Sequence, residues 1–421
     1  MPDRTKAPEI REISDLKLPL PRVHTLDNGI PVYETRMGTQ EILKLEILFY
    51  AGRPAEIKKL TARATASLLR EGTENHTSAE IAEKVDFYGG TLNTPVNLDA
   101  SNVVLYSLTK HFEKLLAIVS EMVTKPVFPA KELEAFGERN IQRLSVDLMR
   151  TDVVAYRKIT EFIYGAMHPY GYNSSEEAYR DLTRDDLIEH FERNYHAGNC
   201  KVFISGKTTP AHIDLLNKYL GRNIPAGEAD PPVFAQYLPA PQQVRIPHPE
   251  SIQTAIRIGR RLFNRSHPDY SGMFVLNTVL GGYFGSRLMT NIREEKGYTY
   301  NIFSSHDPMM YDGYFYIGTE VSNDLTEKTR VEIYKELERI QTELIDDDEL
   351  SMTKNYLLGN MLTLIDGPFN VADVIKTYIA EDLPVSRFAD LVKTVKEITA
   401  EELRDLAGKY FRKEDMWEVI V

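Results

Sequence analysis

Histidine and cysteine are the side chains with which a protein most readily holds a metal ion or makes a nucleophile. This chain of 421 residues uses them sparingly. It has one cysteine, Cys200, so neither an intramolecular disulfide nor a thiolate metal cluster can form. Cys200 follows Gly198-Asn199 and enters the apolar run Val202-Phe203-Ile204, the setting of a buried strand residue rather than of an activated thiol. The ten histidines are scattered, and no His-x-x-x-His or His-x-x-Glu occurs. No helix therefore carries two imidazoles one turn apart, the spacing that grips zinc. His190 and His196 flank Glu192 and fall on different faces of a predicted helix, where solvent exposure is expected.

The charge balance narrows the partners. With 62 acidic and 50 basic side chains the formal net charge is -12, which opposes nucleic acid as a ligand. It is compatible with a mildly acidic cavity that prefers basic peptides. Hydrophobic residues at 42% and charged residues at 27% are ordinary globular proportions, and the length suits two large domains. Met1-Pro2-Asp3-Arg4-Thr5-Lys6 is followed by no apolar core, so it does not read as a secretory signal, and no stretch approaches the length of a membrane span. The expected location is the cytoplasm, with the periplasm as the alternative if a signal preceded this numbering.

The elements that must position any chemistry repeat. The densest breaker region, Ile224 to Pro249, includes Pro225, Gly227, Pro231-Pro232, Pro239 and Pro241, and cannot be a helix or a central strand. It reads as a linker (224–249) between an N-terminal domain (1–223) and a C-terminal domain (250–421). In the first, Leu43, Leu45, Ile47 and Phe49 alternate with Lys44, Glu46 and Leu48, a strand with one buried face. A helix over about Leu60 to Arg70 follows. Thr77-Ser78-Ala79-Glu80 then opens, as a capping box, a helix ending at Gly89-Gly90. In the second, Thr254 to Ile258 reads as a strand, Tyr270 to Leu280 as a helix, Tyr298 to Ser305 and Tyr314 to Val321 as strands, and Glu327 to Leu344 as an amphipathic helix. Both domains close alike. Leu182-Thr183-Arg184-Asp185-Asp186 opens a helix leading to the strand Lys201 to Ile204, and Ile398-Thr399-Ala400-Glu401-Glu402 opens one leading to Trp417 to Val421. The pattern predicts an internal duplication: an α+β fold of two similar domains, each an antiparallel sheet with helices packed on it.

With these elements in view the chain resembles the inverted-zincin metallopeptidases of the insulinase and pitrilysin kind, related to mitochondrial processing peptidase. The matching pieces are Leu26-Asp27-Asn28-Gly29-Ile30, Gly72-Thr73 with Ile81-Ala82-Glu83, Gly89-Gly90-Thr91-Leu92-Asn93, His168-Pro169-Tyr170-Gly171, and Gly285-Ser286-Arg287-Leu288 leading to Arg293-Glu294-Glu295-Lys296-Gly297-Tyr298-Thr299-Tyr300. Their order and spacing over nearly the whole chain carry the resemblance. It implies two homologous domains forming half of a clamshell.

The resemblance also shows what is missing. The family binds zinc with His-x-x-Glu-His on a helix, the glutamate activating the bound water. Those five positions fall on Arg63-Ala64-Thr65-Ala66-Ser67. Arg63 and Ser67 replace the histidines and Ala66 replaces the base; a guanidinium cannot ligate zinc and alanine accepts no proton. Glu138 stands near the place of the family's distal glutamate, where a lone carboxylate reads as a helix-surface or ion-pair residue. No metal and no cofactor is expected in this chain. In active relatives the second domain contributes an arginine and a tyrosine, seven positions apart, that face the zinc-bearing domain. Here they fall on Arg293, at the end of a short helix, and Tyr300, at the start of a strand. Guanidinium and phenol can both donate to a substrate carbonyl and stabilise its oxyanion. The alternative is Arg293 paired with Glu294 or Glu295 and Tyr300 packed in a sheet. The long glycine-rich loop of the mitochondrial non-catalytic subunit is absent; Gly281-Gly282 and Gly285 stand near that place.

Three functions compete on this reading. The chain is a non-catalytic subunit of a heterodimeric zinc endopeptidase, adding Arg293 and Tyr300 to a homologous zinc-bearing partner and its peptide substrate. Alternatively it is an inert structural homologue, or it captures peptides by strand addition without cutting them. Neither nucleic acid nor membrane is an expected partner.

Overall fold

The computed structural model describes residues 13, 16–234 and 239–421; the N-terminal hexapeptide Met1–Lys6 and positions 235–238 of the predicted linker lie outside the described residues. The first sheet opens with a hairpin, β1 (Arg22–Thr25) and β2 (Pro31–Arg36), turned at Asn28-Gly29, where Gly29 takes the left-handed φ of +87°. β3 (Ile42–Phe49) is its central strand. Helices α1 (Thr61–Leu68) and α2 (Ser78–Phe87) follow, then β4 (Thr91–Asn93) and β5 (Ser101–Leu108). Helices α3 (Phe112–Thr124), α4 (Ala130–Asp147), α5 (Thr151–Tyr164), α6 (Glu176–Arg180) and α7 (Arg184–Asn194) lead back to β6 (Cys200–Gly206), and α8 (Pro210–Leu216) closes this half.

The second half begins inside the stretch read as linker, where β7 (Gln243–Arg245) forms a sheet edge, the position that tolerates neighbouring prolines. β8 (Gln253–Leu262), α9 (Tyr270–Asn277) with its wider-wound continuation Thr278–Gly282, and a π-helical turn Met289–Glu295 come next. Then follow β9 (Ile302–Pro308), β10 (Gly313–Ser322), α10 (Thr326–Thr342), α11 (Asp347–Leu364), α12 (Pro368–Ala380), α13 (Arg387–Glu397), α14 (Ala400–Tyr410) and β11 (Trp417–Ile420).

The two sheets share one topology. The first runs β1-β2-β6-β3-β5-β4 and the second β7-β11-β8-β10-β9. In both, the central strand lies antiparallel to the closing strand of its half (β6, β11) and to the strand before the long helices (β5, β10). Each sheet carries one parallel pair, β2 with β6 and β7 with β11, so the sheets are predominantly rather than wholly antiparallel. The closing helices start on matching capping boxes. Thr183 accepts from the Asp186 amide and Thr399 from the Glu402 amide, and the acidic side chains return the bond to the cap backbone.

One face of each sheet is covered by helices of its own half. The other face is covered by a helix of the opposite half. α5 lies on β8 and β11, and α12 lies on β6 and β2. Ala155, Ile159 and Ile163 of α5 meet Ala255, Tyr316, Trp417 and Val419. Val371, Ile375 and Ile379 of α12 meet Leu48 and Phe203. Full burial of such aliphatic side chains stabilises by roughly 1.5–3 kcal/mol each. This exchange corrects the expected single buried face of β3: Lys44 and Glu46 alternate as foreseen, yet both are buried. Lys376 of α12 donates to Glu46 at 2.8 Å, Lys44 lies 3.4 Å from Glu46, and Lys44 also pairs with Asp373. Burial works against the charged amine of Lys44, but Asp373 and Glu46 outweigh it and raise its pKa.

Among the described residues no helix is long and apolar enough to cross a membrane.

Candidate functional site

α1 is a helix of small residues, Thr61-Ala62-Arg63-Ala64-Thr65-Ala66-Ser67-Leu68, most of them buried against the sheet. Its first turn is held from outside the helix. Glu56 accepts the Ala62 amide at 2.9 Å and the Tyr172 hydroxyl at 2.6 Å, and burial pushes its carboxyl up to about 7. His190 of α7 sits behind the same turn. Its Nε2 donates to the Ala51 carbonyl at 3.2 Å, which leaves Nδ1 to accept from Asn194 at 3.2 Å, and burial holds the ring neutral with a pKa of about 4. His190 and His196 are both buried, against the expectation that solvent covers them, because α7 packs on α1 and the His196 ring sits against Gly227. Cys200 is buried in β6 as foreseen, and burial drives its thiol pKa upward. His168 is buried too, stacked on Tyr164 at 5.0 Å, and its Nδ1 accepts the Tyr170 amide.

The zinc-motif positions part company in space. Ala66 is fully buried, whereas Arg63 and Ser67, one turn apart, line a cleft of about 670 Å³ between α1 and α4. Arg63 is steadied by donating to the Tyr179 hydroxyl at 3.2 Å. Across the cleft α4 presents Arg139, Asn140 and Arg143, while Glu138 is not among the lining residues. Glu138 thus takes no part beside Arg63 and Ser67, since the α4 helical period turns Arg139 and Arg143 toward the cleft instead. Three guanidinium groups and an alanine do not fit a zinc ion, which needs deprotonated nitrogen, sulfur or oxygen ligands. Among the described residues no group of three or more histidine, cysteine, aspartate or glutamate side chains is placed to hold a metal. Arg139 and Arg143 escaped the sequence reading. Their one-turn spacing on a predicted helix was the available signal, but nothing local said which element that face would meet.

Arg293 and Tyr300 lie in the other half, around the turn that leads into β9. Arg293 lies within the π-helical turn, which ends at Glu295, and Gly297, at φ +63°, reverses the chain. Tyr300 does not begin the strand. The Thr299 hydroxyl donates to the Glu320 carbonyl at 2.7 Å, the β9 ladder starts only at Ile302, and the Tyr300 side chain is 85% exposed. Its ring lies beside the Arg293 guanidinium, 4.9 Å from carbon to centroid. Phe284, 57% exposed and not singled out in the sequence, covers the guanidinium at 4.8 Å. Arg293 therefore sits between two aromatic rings and forms no ion pair with Glu294 or Glu295. Cation–π contact restrains a guanidinium without consuming its N–H donors. This turn occupies the same topological place as the α2–Gly89–β4 segment of the first half, where Gly89 also takes φ +63°.

Comparison with known proteins agrees with the fold. Residues 181–357 match the family described as Peptidase M16 inactive domain. The "Uncharacterized zinc protease YmxG" of Bacillus subtilis is 22% identical over 354 residues, covering 82% of this chain and 84% of that protein. "Mitochondrial-processing peptidase subunit beta" of Saccharomyces cerevisiae is 23% identical over 432 residues, covering 95% of this chain and 88% of that protein. A crystal structure of a peptidase M16 inactive domain from Pseudomonas fluorescens superposes with a TM-score of 0.85 at 23% identity, over 95% of this chain and 97% of that one. Over residues 181–357 the chain is similar to the M16 inactive domain, and as a whole it has the α+β fold of the solved M16 structure.

Proposed function

We propose that this chain is the non-catalytic subunit of a heterodimeric zinc endopeptidase. A homologous partner supplies the zinc, its ligands and the glutamate base. This chain supplies Arg293 and Tyr300, which donate hydrogen bonds to the substrate carbonyl as charge develops on its oxygen. The observation that carries the reading is the exposed Phe284–Arg293–Tyr300 stack. A guanidinium in contact with two exposed rings and bonded to no other described side chain has its donors available for a ligand. The alternatives of an Arg293–Glu294 or Arg293–Glu295 pair and a sheet-packed Tyr300 do not describe these contacts. A relative that is itself named as one subunit of a processing peptidase supports pairing.

The test is reconstitution. The chain is co-expressed with a homologue carrying an intact His-x-x-Glu-His motif, and co-purification, zinc content and cleavage of a peptide library are measured. The expected result is a one-to-one complex whose zinc follows the partner and whose peptidase activity needs both chains. A partner fully active alone, with this chain forming homodimers that leave its activity unchanged, overturns the reading in favour of an inert homologue.

A further inference from the structure

The cleft between α1 and α4 runs against the charge of the molecule. In a chain of net charge -12, four of its lining side chains are arginines (Arg63, Arg70, Arg139 and Arg143) and one is an acid, Glu71. Glu71 is engaged elsewhere, accepting the Ser78 hydroxyl at 2.7 Å, and lies 3.7 Å from the Arg70 guanidinium. Arg139 and Arg143 are exposed and make no ion pair or hydrogen bond with other described residues through their side chains. Like charges so close repel one another, and an unpaired guanidinium in a shared groove leaves its donors to water or to a ligand. Asn140 spends its amide N–H on the Phe136 carbonyl, which turns its carbonyl oxygen away from that bond and leaves the arginines as the main donors along this wall.

We propose that this cleft is a binding site for an acidic peptide segment in extended conformation, its side-chain carboxylates taken by Arg63, Arg139 and Arg143. The spacing favours a peptide over a single small anion. Arg139 and Arg143 stand one helical turn apart, about 6 Å along the axis. Alternate side chains of an extended chain on one face recur every ~6.6 Å. Each guanidinium can then meet one carboxylate in the two-pronged geometry that an ammonium cannot reproduce. A cleft of about 670 Å³ holds several residues rather than one ion. Half-buried Val104 in its wall offers apolar surface to the stems of those side chains. The position that the zinc motif occupies in the family has become, in this chain, a receptor for negative charge. The inference concerns the isolated chain and does not depend on pairing with a zinc-bearing subunit.

The experiment is fluorescence anisotropy on the full chain with a labelled octapeptide of alternating glutamate and serine. Controls carry glutamine or lysine in place of glutamate, and inorganic phosphate serves as competitor. The glutamate peptide is expected to bind, to bind at least about tenfold more tightly than the glutamine peptide, and to weaken as salt rises. The double variant R139Q/R143Q should lose at least about tenfold in affinity with an unchanged melting temperature, because both side chains are exposed and unpaired. R139K/R143K should recover only part of the loss, the sign that fork geometry matters and not charge alone. If the double variant melts early, Arg63→Gln is read in its place, since only its bond to Tyr179 is lost. Equal binding of the glutamate and glutamine peptides overturns the proposal. So does binding indifferent to R139Q/R143Q, or phosphate occupying the cleft while the glutamate peptide does not bind.

Discussion

In the first half, the chain turns at Gly89 into β4, beside a cleft of four arginines facing solvent. In the second, the corresponding turn at Gly297 leads into β9 beside a single arginine held between Phe284 and Tyr300. The contact between halves is just as uneven. α12 brings charge to the first sheet, the Lys44–Glu46–Lys376–Asp373 network, whereas α5 brings phenols and aliphatic side chains to the second. There Tyr164 donates to the Gly313 carbonyl at 2.7 Å and Tyr156 bonds Tyr314. A duplicated topology thus sets where surfaces lie and not what they carry. One backbone frame positions a spread of free donors on one side and a rigid, aromatic-backed donor on the other.

The largest effect should come from the rigid donor. Tyr300→Phe removes one hydroxyl and little volume, and should lower turnover of the reconstituted pair by about 10²-fold, the scale of losing one oxyanion donor. Steady-state cleavage with complex formation checked by gel filtration reads it, and full activity would reduce the second-half site to a decorated turn.

Next comes the charged contact between halves. Glu46→Gln leaves Lys376 and Lys44 without their shared carboxylate in a buried setting, with Asp373 still compensating Lys44. The expected cost is about 2–3 kcal/mol, below the 3–5 of an uncompensated buried charge. Tyr156→Phe on the opposite contact removes one hydrogen bond and should cost about 1 kcal/mol. Urea denaturation of both variants compares the contacts directly; equal costs would erase the difference between them.

A smaller change is expected at Phe284→Ala, which strips one ring from Arg293. Loss of a partly exposed cation–π contact is worth about 1 kcal/mol, so KM in the reconstituted pair should rise about fivefold with kcat little changed. An unaffected KM would mean that Tyr300 alone orients the guanidinium.

The smallest effect separates the first-half site from the second by pH. Glu56, under α1, has its folded pKa raised from 4.5 to about 7, so the folded chain keeps a proton that the unfolded chain has lost. Its contribution to stability is therefore present below 4.5 and is lost as pH rises through about 7. His190 acts on the acid side. Its folded pKa of about 4 lies below the ordinary 6.5, so stability falls as pH drops from 6.5 through about 4. Over the shared range the two slopes oppose each other, so melting temperature should change little with pH there, and Glu56→Gln should uncover the His190 slope as a melting temperature that rises with pH between about 4 and 6.5. A profile unchanged by that variant would remove Glu56 from the account.

How much of this was legible depended on range. The duplication was readable because it is written in local signals: the Thr183–Asp186 and Thr399–Glu402 capping boxes, the alternation in β3, and the glycines at helix ends. That positions 63 to 67 hold no zinc ligand pair was readable for the same reason, since Arg63, Ala66 and Ser67 are chemical facts before any folding. Tyr300 was expected in a strand because its neighbours favour β structure. A threonine hydroxyl bonded across to Glu320 keeps it outside the ladder, and a bond between residues so far apart leaves no local mark. His190 and His196 were assigned to solvent because helix periodicity tells only which residues share a face, and burial depends on what covers that face.

By itself, then, the sequence determined the kind of the elements that open and close each half, the order of the two halves and the absence of a zinc ligand set at positions 63 to 67. Each of these follows from side-chain chemistry and from interactions spanning a few residues. Only the tertiary structure decided that α5 and α12 change places between halves, that Lys44 and Glu46 are buried, that α4 turns Arg139 and Arg143 rather than Glu138 toward Arg63, and that Phe284 closes over Arg293. Those outcomes depend on which surfaces meet across hundreds of residues, where the free energy lies in shape and charge complementarity between elements and no short-range preference of the chain encodes it.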